Sequence, residues 1–131
     1  MAKNEIKHPD KEKSTGAYSA AVEIDGWVYV SGQGPLDPKT AEVIRGTIEE
    51  ETLLTLTHIQ TILRAAGCTM NDVVKSTVHL SDINEFDRFN GVYRNFFKEV
   101  PVLPARTTVQ SVLWGGIKVE MDVVARRGKR A

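Results

Sequence analysis

The alternation of apolar and polar residues predicts a β-hairpin in the first third of the chain. Residues 22–24 lead into Asp25-Gly26, and residues 27–31 continue with β-branched and aromatic side chains. Asp-Gly tolerates positive φ angles and therefore favours a two-residue turn between antiparallel strands. The hairpin is predicted over residues 19–33, and a loop rich in Gly and Pro follows at residues 32–39.

Two longer segments show the three- and four-residue spacing of amphipathic helices. The first, residues 47–66, begins with a capping box formed by Thr47 and Glu50, and Gly67 follows its last periodic position. The second, residues 81–97, begins with Ser and Asp as possible caps. Each helix carries one apolar stripe: Leu53, Leu56, Ile59 and Leu63 on the first, and Phe86, Phe89, Tyr93, Phe96 and Phe97 on the second.

β-Branched residues support strands in three further segments, residues 73–80, 105–110 and 117–125. The order β-β-α-β-α-β-β indicates a single domain over residues 1–131, with an N-terminal arm at 1–15 and a basic tail at 126–131. Two amphipathic helices on one face of a mixed β-sheet make an α+β fold. Nothing in the chain remains to cover the opposite sheet face, so self-association is expected.

The charge balance excludes some classes of partner. Lys plus Arg and Asp plus Glu are equal at 17 each, so the formal net charge is zero. This argues against a protein devoted to nucleic acid or anionic membranes, and the basic cluster at 126–130 is interpreted as a solvated tail. Cys68 is the only cysteine, so a reducing compartment and a half-buried structural thiol are expected. No signal peptide or membrane span is recognised, which favours a soluble cytoplasmic protein.

Common catalytic and metal-binding patterns are not found. His8, His58 and His79 lie far apart in sequence, and none has the spacing of metal ligands. Structural or surface roles are therefore predicted for them, and no metal is expected. The sequence also lacks a G-x-S-x-G nucleophile elbow and a phosphate-binding GKS or GKT loop.

Arg106 and the acidic residues of the last strand remain as candidates. Arg106 begins an otherwise uncharged strand, where its charge needs a partner if it is covered. Either it pairs with a surface carboxylate, or its guanidinium binds a substrate carboxylate through two parallel hydrogen bonds. Glu120 and Asp122 alternate with apolar residues and so share one strand face. A solvated face explains these two acids as well as a functional one does.

Several short segments occur in a characteristic order and spacing, above all Pro104-Ala105-Arg106-Thr107 followed by Val119-Glu120. The others are Gly16-Ala17-Tyr18-Ser19, Val30-Ser31-Gly32-Gln33, Pro35-Leu36-Asp37-Pro38, Ala65-Ala66-Gly67, Asp72-Val73-Val74-Lys75, Phe89-Asn90, Val92-Tyr93 and Phe96-Phe97. In these segments the chain resembles, over nearly its whole length, the Rid family of reactive-intermediate deaminases, also called YjgF-like proteins.

The resemblance implies a chorismate-mutase-like homotrimer with clefts between subunits. It also implies cofactor-free hydrolysis of 2-imino acids, formed from enamines such as 2-aminoacrylate or 2-aminocrotonate, to 2-keto acids and ammonia. Two catalytic residues are implied: Arg106, which binds the substrate carboxylate, and Glu120, which lies near the attacking water. The other implied substrate-binding residues are Tyr18, Ser31, Gly32, Asn90 and Thr108, the last through its main chain.

Three segments depart from the family pattern. The family's Gly-Pro-Tyr-Ser-Gln is replaced by Gly16-Ala17-Tyr18-Ser19-Ala20, and its Leu-Pro is replaced by Leu113-Trp114. An Asn that is common in the first helix of the family is absent here, around Thr57-His58-Ile59. The first two lie near the expected cleft and bear on substrate identity more than on reaction type. Two rival functions stay open. One is a non-catalytic trimer that binds 2-keto acids; the other is RNA cleavage or translation inhibition, which the zero net charge and the lack of a histidine acid–base pair disfavour.

Overall fold

The computed structural model describes residues 2–11 and 16–128. The helices are α1 (Ile48–Ala65) and α2 (Phe86–Phe96), and the strands are β1 (Asn4–Ile6), β2 (Ala21–Ile24), β3 (Trp27–Gln33), β4 (Val73–Leu80), β5 (Ala105–Gln110) and β6 (Val119–Arg126). Within these ranges, neither helix has the combination of length and apolar character needed to cross a membrane.

The strands form one mixed sheet in the order β1-β2-β3-β6-β4-β5. Strands β4 and β5 run parallel, and the other neighbours run antiparallel. Both helices pack on one face, where Val28, Val78 and Met121 are completely buried. Trp27 and Tyr29 point to the other face and are 40% and 47% exposed. The predicted fold class is confirmed, whereas the trimer stays a prediction.

The predicted hairpin is confirmed, and a further strand extends it. Asp25 and Gly26 have φ angles of 53° and 82°, as in a type I′ turn, whose twist matches that of the flanking strands. Strand β1 pairs antiparallel with β2, so that Asn4 lies opposite Glu23. These three residues are too few and too polar to show strand alternation, and the sequence pattern therefore predicts only an arm there.

Helix α1 begins at its predicted cap. The Thr47 hydroxyl accepts the main-chain N–H of Glu50 at 3.1 Å, and the Glu50 carboxylate accepts that of Thr47 at 2.9 Å. The predicted apolar stripe is wrong at Leu53, which is 52% exposed. Thr52 and Thr55, which are completely buried, occupy the inner face at this end of the helix instead.

Glu51 is a buried carboxylate that joins α1 to the start of β6. Its oxygens accept the main-chain N–H groups of Gly46 at 3.1 Å and Lys118 at 2.8 Å, and the Lys118 ammonium lies 3.2 Å away. A buried charge is tolerated when it is paired and hydrogen-bonded in this way. The contact fixes the chain two residues before Glu120.

The second helix is shorter than predicted. Asp82 accepts the main-chain N–H of Asn84 at 2.9 Å and so caps a 3-10 turn at Ile83–Glu85, after which α2 begins at Phe86. The predicted aromatic face is confirmed, because five rings lie in or against the core: Phe86, Phe89, Tyr93, Phe96 and Phe97.

The later strands follow the predictions with small shifts. Strands β4 and β5 have their predicted bounds, and β6 begins at Val119 because Trp114–Gly116 forms a short 3-10 turn before it. Cys68 is buried more deeply than the half-buried position predicted.

The predicted basic tail is partly ordered in the sheet. Strand β6 extends to Arg126, and the main-chain N–H of Arg127 donates to the carbonyl of Gly26 at 2.8 Å. The Arg127 side chain also pairs with Glu23. Arg126 and Arg127 are therefore ordered at the end of the sheet, although Arg126 stays exposed to solvent, and residues 129–131 lie outside the described residues.

A buried contact between two histidines attaches the N-terminal arm to α1. His8 Nε2 lies 3.0 Å from His58 Nδ1, and the residues are 6% and 7% exposed. The Asp10 N–H donates to His8 Nδ1 at 3.1 Å, and His58 Nε2 lies 2.7 Å from the Leu36 carbonyl. Because a carbonyl only accepts, His58 carries its proton on Nε2 and accepts from His8 at Nδ1. Two neutral rings then satisfy every donor and acceptor.

We expect this contact to make stability depend on pH. Burial, followed by the neighbouring His58, lowers the pKa of His8, so the folded protein takes up this proton less readily than the unfolded chain. The stabilisation is complete above the ordinary histidine pKa of about 6.5 and is lost as the pH falls through the lowered folded value. His8→Ala should lower the melting temperature by ~2–6 °C at pH 8, and by less at pH 5. An equal loss at both pH values, at one protein concentration, would contradict this.

Candidate active site

Arg106 lies where β5 meets α2, and aromatic rings surround its guanidinium. Its Nη1 donates to Oδ1 of Asn90 at 2.8 Å. The guanidinium carbon lies 4.6 Å from the centre of the Tyr93 ring, and the rings of Phe86 and Phe89 are 5.5 and 5.8 Å away. Such rings attract the cation and hold its plane in a defined orientation.

Within residues 2–11 and 16–128, no carboxylate pairs with Arg106. The basic members of the ion pairs found there are Arg88, Lys118 and Arg127. A guanidinium offers five N–H donors, and a half-buried one is best compensated by an anion. The geometry therefore does not support pairing of this arginine with a surface carboxylate, and it leaves donors for an external one.

A cavity of about 350 Å³ opens beside this guanidinium. Its walls bring together two predicted site residues and four others: Asn90, Tyr93, Arg94, Leu103, Pro104 and Arg106. Asn90 and Tyr93 lie three positions apart, so both side chains reach the same face of α2. The cavity thus joins a fixed cation to an apolar wall.

Thr108 lies two residues beyond Arg106 on the same side of β5. Its hydroxyl is buried and has no hydrogen-bond partner in the described part of the chain. The Ser111 N–H donates to the Leu80 carbonyl of β4, and main-chain groups alternate in direction along a strand. The main-chain N–H and C=O of Thr108 therefore point away from β4, at the edge of the sheet that β5 forms. In this orientation they are free of sheet pairing, as the predicted contact with a substrate requires.

A second cavity, of about 380 Å³, contains the other predicted site residues. Its lining consists of Tyr18, Ser31, Gly32, Trp114 and Glu120. The Ser31 hydroxyl donates to the Ser19 carbonyl at 2.7 Å, which fixes the segment that carries Tyr18 against β3. A Cβ on Gly16 would lie 2.4 Å from the Tyr18 ring, so a glycine there lets the ring lie across the backbone.

A β-bulge brings Ser31 and Gly32 beside Glu120. The pairing of β3 with β6 shifts between Val30 and Gln33, and such bulges redirect the side chains next to them. A Cβ on Gly32 would lie 2.7 Å from Oε2 of Glu120. The carboxylate therefore lies directly against the Gly32 main chain.

We expect Gly32→Ala to lower the imine hydrolysis that the family resemblance implies, because the new methyl group displaces this carboxylate. A shift of about 1 Å in a reacting group can reduce the rate about a hundredfold, so kcat should fall by roughly tenfold to a hundredfold. The matched control is Gly91→Ala, because a Cβ at Gly91 on α2 has no neighbour within 4 Å. Equal activity of the two alanine variants, measured per folded protein, would remove the positional role of Gly32.

The two cavities lie on opposite faces of the sheet. Arg106 pairs with Ser76, whose hydroxyl lies 2.8 Å from that of Tyr93 on α2, so Arg106 is on the helix-covered face. Glu120 pairs with His79, three residues after Ser76 and therefore on the open face. One chain thus carries two separate groups, the arginine half-site (Asn90, Arg106 and Thr108) and the glutamate half-site (Tyr18, Ser31, Gly32, Trp114 and Glu120).

Asp122 shares the open face with Glu120, as predicted from their alternation. Burial raises the pKa of Asp122, and nearby His79 acts in the opposite direction. His79 Nδ1 lies 2.8 Å from the Ser111 hydroxyl. Neither Asp122 nor His79 lines the cavities of the two half-sites.

A metal site is not found in the described residues. Within residues 2–11 and 16–128, no three His, Cys, Asp or Glu side chains are grouped so as to hold a metal ion.

Five residues that line the cavities are not among the predicted site residues, and two of them, Tyr93 and Trp114, add aromatic rings to the half-sites. Tyr93 is predicted as a core residue, but its ring also faces Arg106, and its three-residue spacing from Asn90 is the signal for this. Burial raises the pKa of Tyr93, and the Ser76 hydrogen bond opposes the shift. Trp114 is noted only as a departure from the family pattern, yet it forms one wall of the glutamate half-site.

Comparisons with known proteins cover almost the whole chain. A family model described as endoribonuclease L-PSP matches residues 8–127. A RutC family protein of Pyrococcus abyssi is 40% identical over 126 residues, which are 95% of this chain and 98% of the relative. The 2-iminobutanoate/2-iminopropanoate deaminase of Mus musculus is 41% identical over 114 residues, 86% of this chain and 83% of the relative. The crystal structure of a Rid-family protein of unknown function from Yersinia pestis has a TM-score of 0.89 and 35% identity, and the match covers 95% of this chain and 99% of that chain.

Proposed function

Because this chain belongs to the Rid (YjgF-like) family, we propose that it is a hydrolytic deaminase that converts 2-imino acids, and the enamines that form them, to 2-keto acids and ammonia. Relatives named imine deaminases, such as the mouse protein, support this chemistry. The observation that carries the proposal is the half-buried Arg106 guanidinium, oriented by Asn90 and Tyr93 beside a cavity. It has the geometry to bind the carboxylate that all such substrates share.

The reaction needs a held carboxylate, an electrophilic carbon and an oriented water. In a protonated imine the carbon is already electrophilic. Water adds its oxygen to this carbon, and one of its protons passes to Glu120. Glu120 returns that proton to the nitrogen of the tetrahedral intermediate, the C–N bond breaks, and the hydroxyl proton leaves with ammonia as ammonium. Arg106 keeps the carbon beside the water, which turns an encounter into an oriented attack.

The half-sites act together only if different copies of the chain meet, because they lie on opposite sheet faces. The open face offers apolar and aromatic side chains for such a contact, including Trp27, Tyr29 and Val109. We propose a homotrimer, the number that the family resemblance implies. In it, the arginine half-site of one copy faces the glutamate half-site of its neighbour, and the composite cleft excludes bulk water.

The test measures ammonia release from 2-iminopropanoate and 2-iminobutanoate, generated in situ by an amino-acid oxidase with catalase present. We expect the protein to accelerate release above the uncatalysed rate, and light scattering to give the mass of three chains. No acceleration at micromolar protein would contradict the proposed reaction. A stable monomer under the same conditions would contradict the composite site.

The same assay distinguishes the rival functions. A protein that only binds 2-keto acids gives calorimetric binding without faster ammonia release. RNA cleavage, which the description of the matching family model suggests, predicts salt-sensitive RNA binding and cleavage products. The zero formal net charge favours neither of these RNA activities.

A further inference from the structure

We propose that Trp114 selects imino acids with a bulky apolar side chain, such as isobutyl or benzyl, over those with a methyl group. This inference rests on the proposed function and adds a substrate class to it. It concerns the aromatic side of the glutamate half-site, which the reaction chemistry does not require.

The glutamate half-site has one polar side and one aromatic side. Glu120, Ser31 and the main chain of Gly32 form the polar side, where the proposed reaction places the water and the imino group. The side chains of Trp114 and Tyr18 lie at the same cavity and are 58% and 54% exposed. A ligand that covers an exposed indole removes a large apolar area from water.

The backbone holds Trp114 in a defined position. It begins the 3-10 turn Trp114–Gly116, in which Gly115 and Gly116 have φ angles of 66° and 73°. Arg45 donates to the Gly115 carbonyl at 3.3 Å, and buried Ile117 donates its N–H to the Trp114 carbonyl. The backbone that carries the tryptophan is therefore held in place, which limits the conformational entropy lost when a ligand binds against its ring.

The polar ends of the substrate determine which part reaches this wall. The carboxylate is directed to Arg106 and the imino carbon to Glu120, so the third substituent of that carbon is left for the aromatic side. A methyl group covers little of an indole ring, whereas an isobutyl or benzyl group covers much more. One methylene in an apolar pocket changes kcat/KM by roughly tenfold or more, so a preference of at least about this size is expected.

The experiment compares kcat/KM for imines generated in situ from alanine, leucine and phenylalanine. We expect the wild-type protein to prefer the two larger imines by about tenfold or more. Trp114→Ala should abolish this preference, mainly through a higher KM for the larger imines, while the alanine-derived imine changes little. Trp114→Phe should retain part of the preference. Leu53→Ala, which truncates an exposed apolar residue of α1 that lines neither cavity, should change nothing.

The ratio of rates is taken within one preparation, so a loss of folded protein cancels. An unchanged ratio in Trp114→Ala, or an equal loss for all three imines, would overturn the proposal. If no imine is hydrolysed, the proposed function fails, and calorimetry with the corresponding 2-keto acids then decides the selectivity alone. Tighter binding of 4-methyl-2-oxopentanoate than of pyruvate, lost in Trp114→Ala, supports the proposal, whereas equal affinities overturn it.

Discussion

Arg106→Lys is expected to remove most of the turnover although the positive charge remains. The guanidinium is planar, donates to Asn90 and lies over the Tyr93 ring, which leaves a fork of N–H groups for a carboxylate. An ammonium is a compact donor that cannot form two parallel hydrogen bonds to one carboxylate. Because the carboxylate positions the reacting carbon, kcat/KM should fall about a hundredfold or more.

Arg88→Lys is the matched control for this substitution. Arg88 also binds a carboxylate with two nitrogens, which lie 3.0 and 2.7 Å from the oxygens of Glu49, but its side chain is about half exposed. Exposed pairs of this kind contribute little, so its activity should stay close to that of the wild type. Near-normal turnover in a folded Arg106→Lys variant would return Arg106 to a structural role.

Much of the fold could be predicted because its signals are local. Thr47 and Glu50 are three residues apart and cap each other, so the start of α1 is visible in the sequence. Asp25-Gly26 likewise encodes its own turn. In contrast, Leu53 is exposed because tertiary packing turns Thr52 and Thr55 inward, and helical periodicity alone cannot distinguish these faces.

Other features depend on residues distant in sequence and could not be predicted from pattern. The buried Glu51 is satisfied by Lys118, which lies 67 residues away, and the pair forms only when the sheet is complete. The contact between His8 and His58 spans 50 residues in the same way. A pattern of single residues shows charge and periodicity, but not the partner that makes a buried polar group tolerable.

The family resemblance names most residues of the candidate site, but it does not show that they divide between the two faces of the sheet. Arg106 and Glu120 each lie on a strand that the sequence predicts, and the resemblance names both. Their separation follows from the pairing of Arg106 with Ser76 and of Glu120 with His79, which requires the strand order of the sheet. The β-bulge that brings Gly32 against Glu120 is a second tertiary feature without a sequence signal.

Glu120→Gln is expected to lower turnover while leaving ligand binding almost intact. Glutamine keeps the shape that fits against Gly32 but cannot accept a proton from water. General acid–base groups contribute about a hundredfold to ten-thousandfold, and the loss should lie in that range. The affinity for a 2-keto acid, measured by calorimetry, should change far less because Arg106 holds its carboxylate. A structural Glu120 gives the reverse pattern, in which the melting temperature falls and activity follows only the amount of folded protein.

The two inactive variants together test whether the half-sites of different copies combine. Arg106→Lys and Glu120→Gln chains are mixed in equal amounts and reassembled, for example by co-refolding. A site is intact when its Arg106 comes from a Glu120→Gln chain and its Glu120 from an Arg106→Lys chain, which random assembly gives at about one site in four. The mixed protein should therefore regain about a quarter of the wild-type activity. If mass spectrometry confirms mixed trimers and activity does not return, the two residues do not meet across a subunit boundary, and the composite site is wrong.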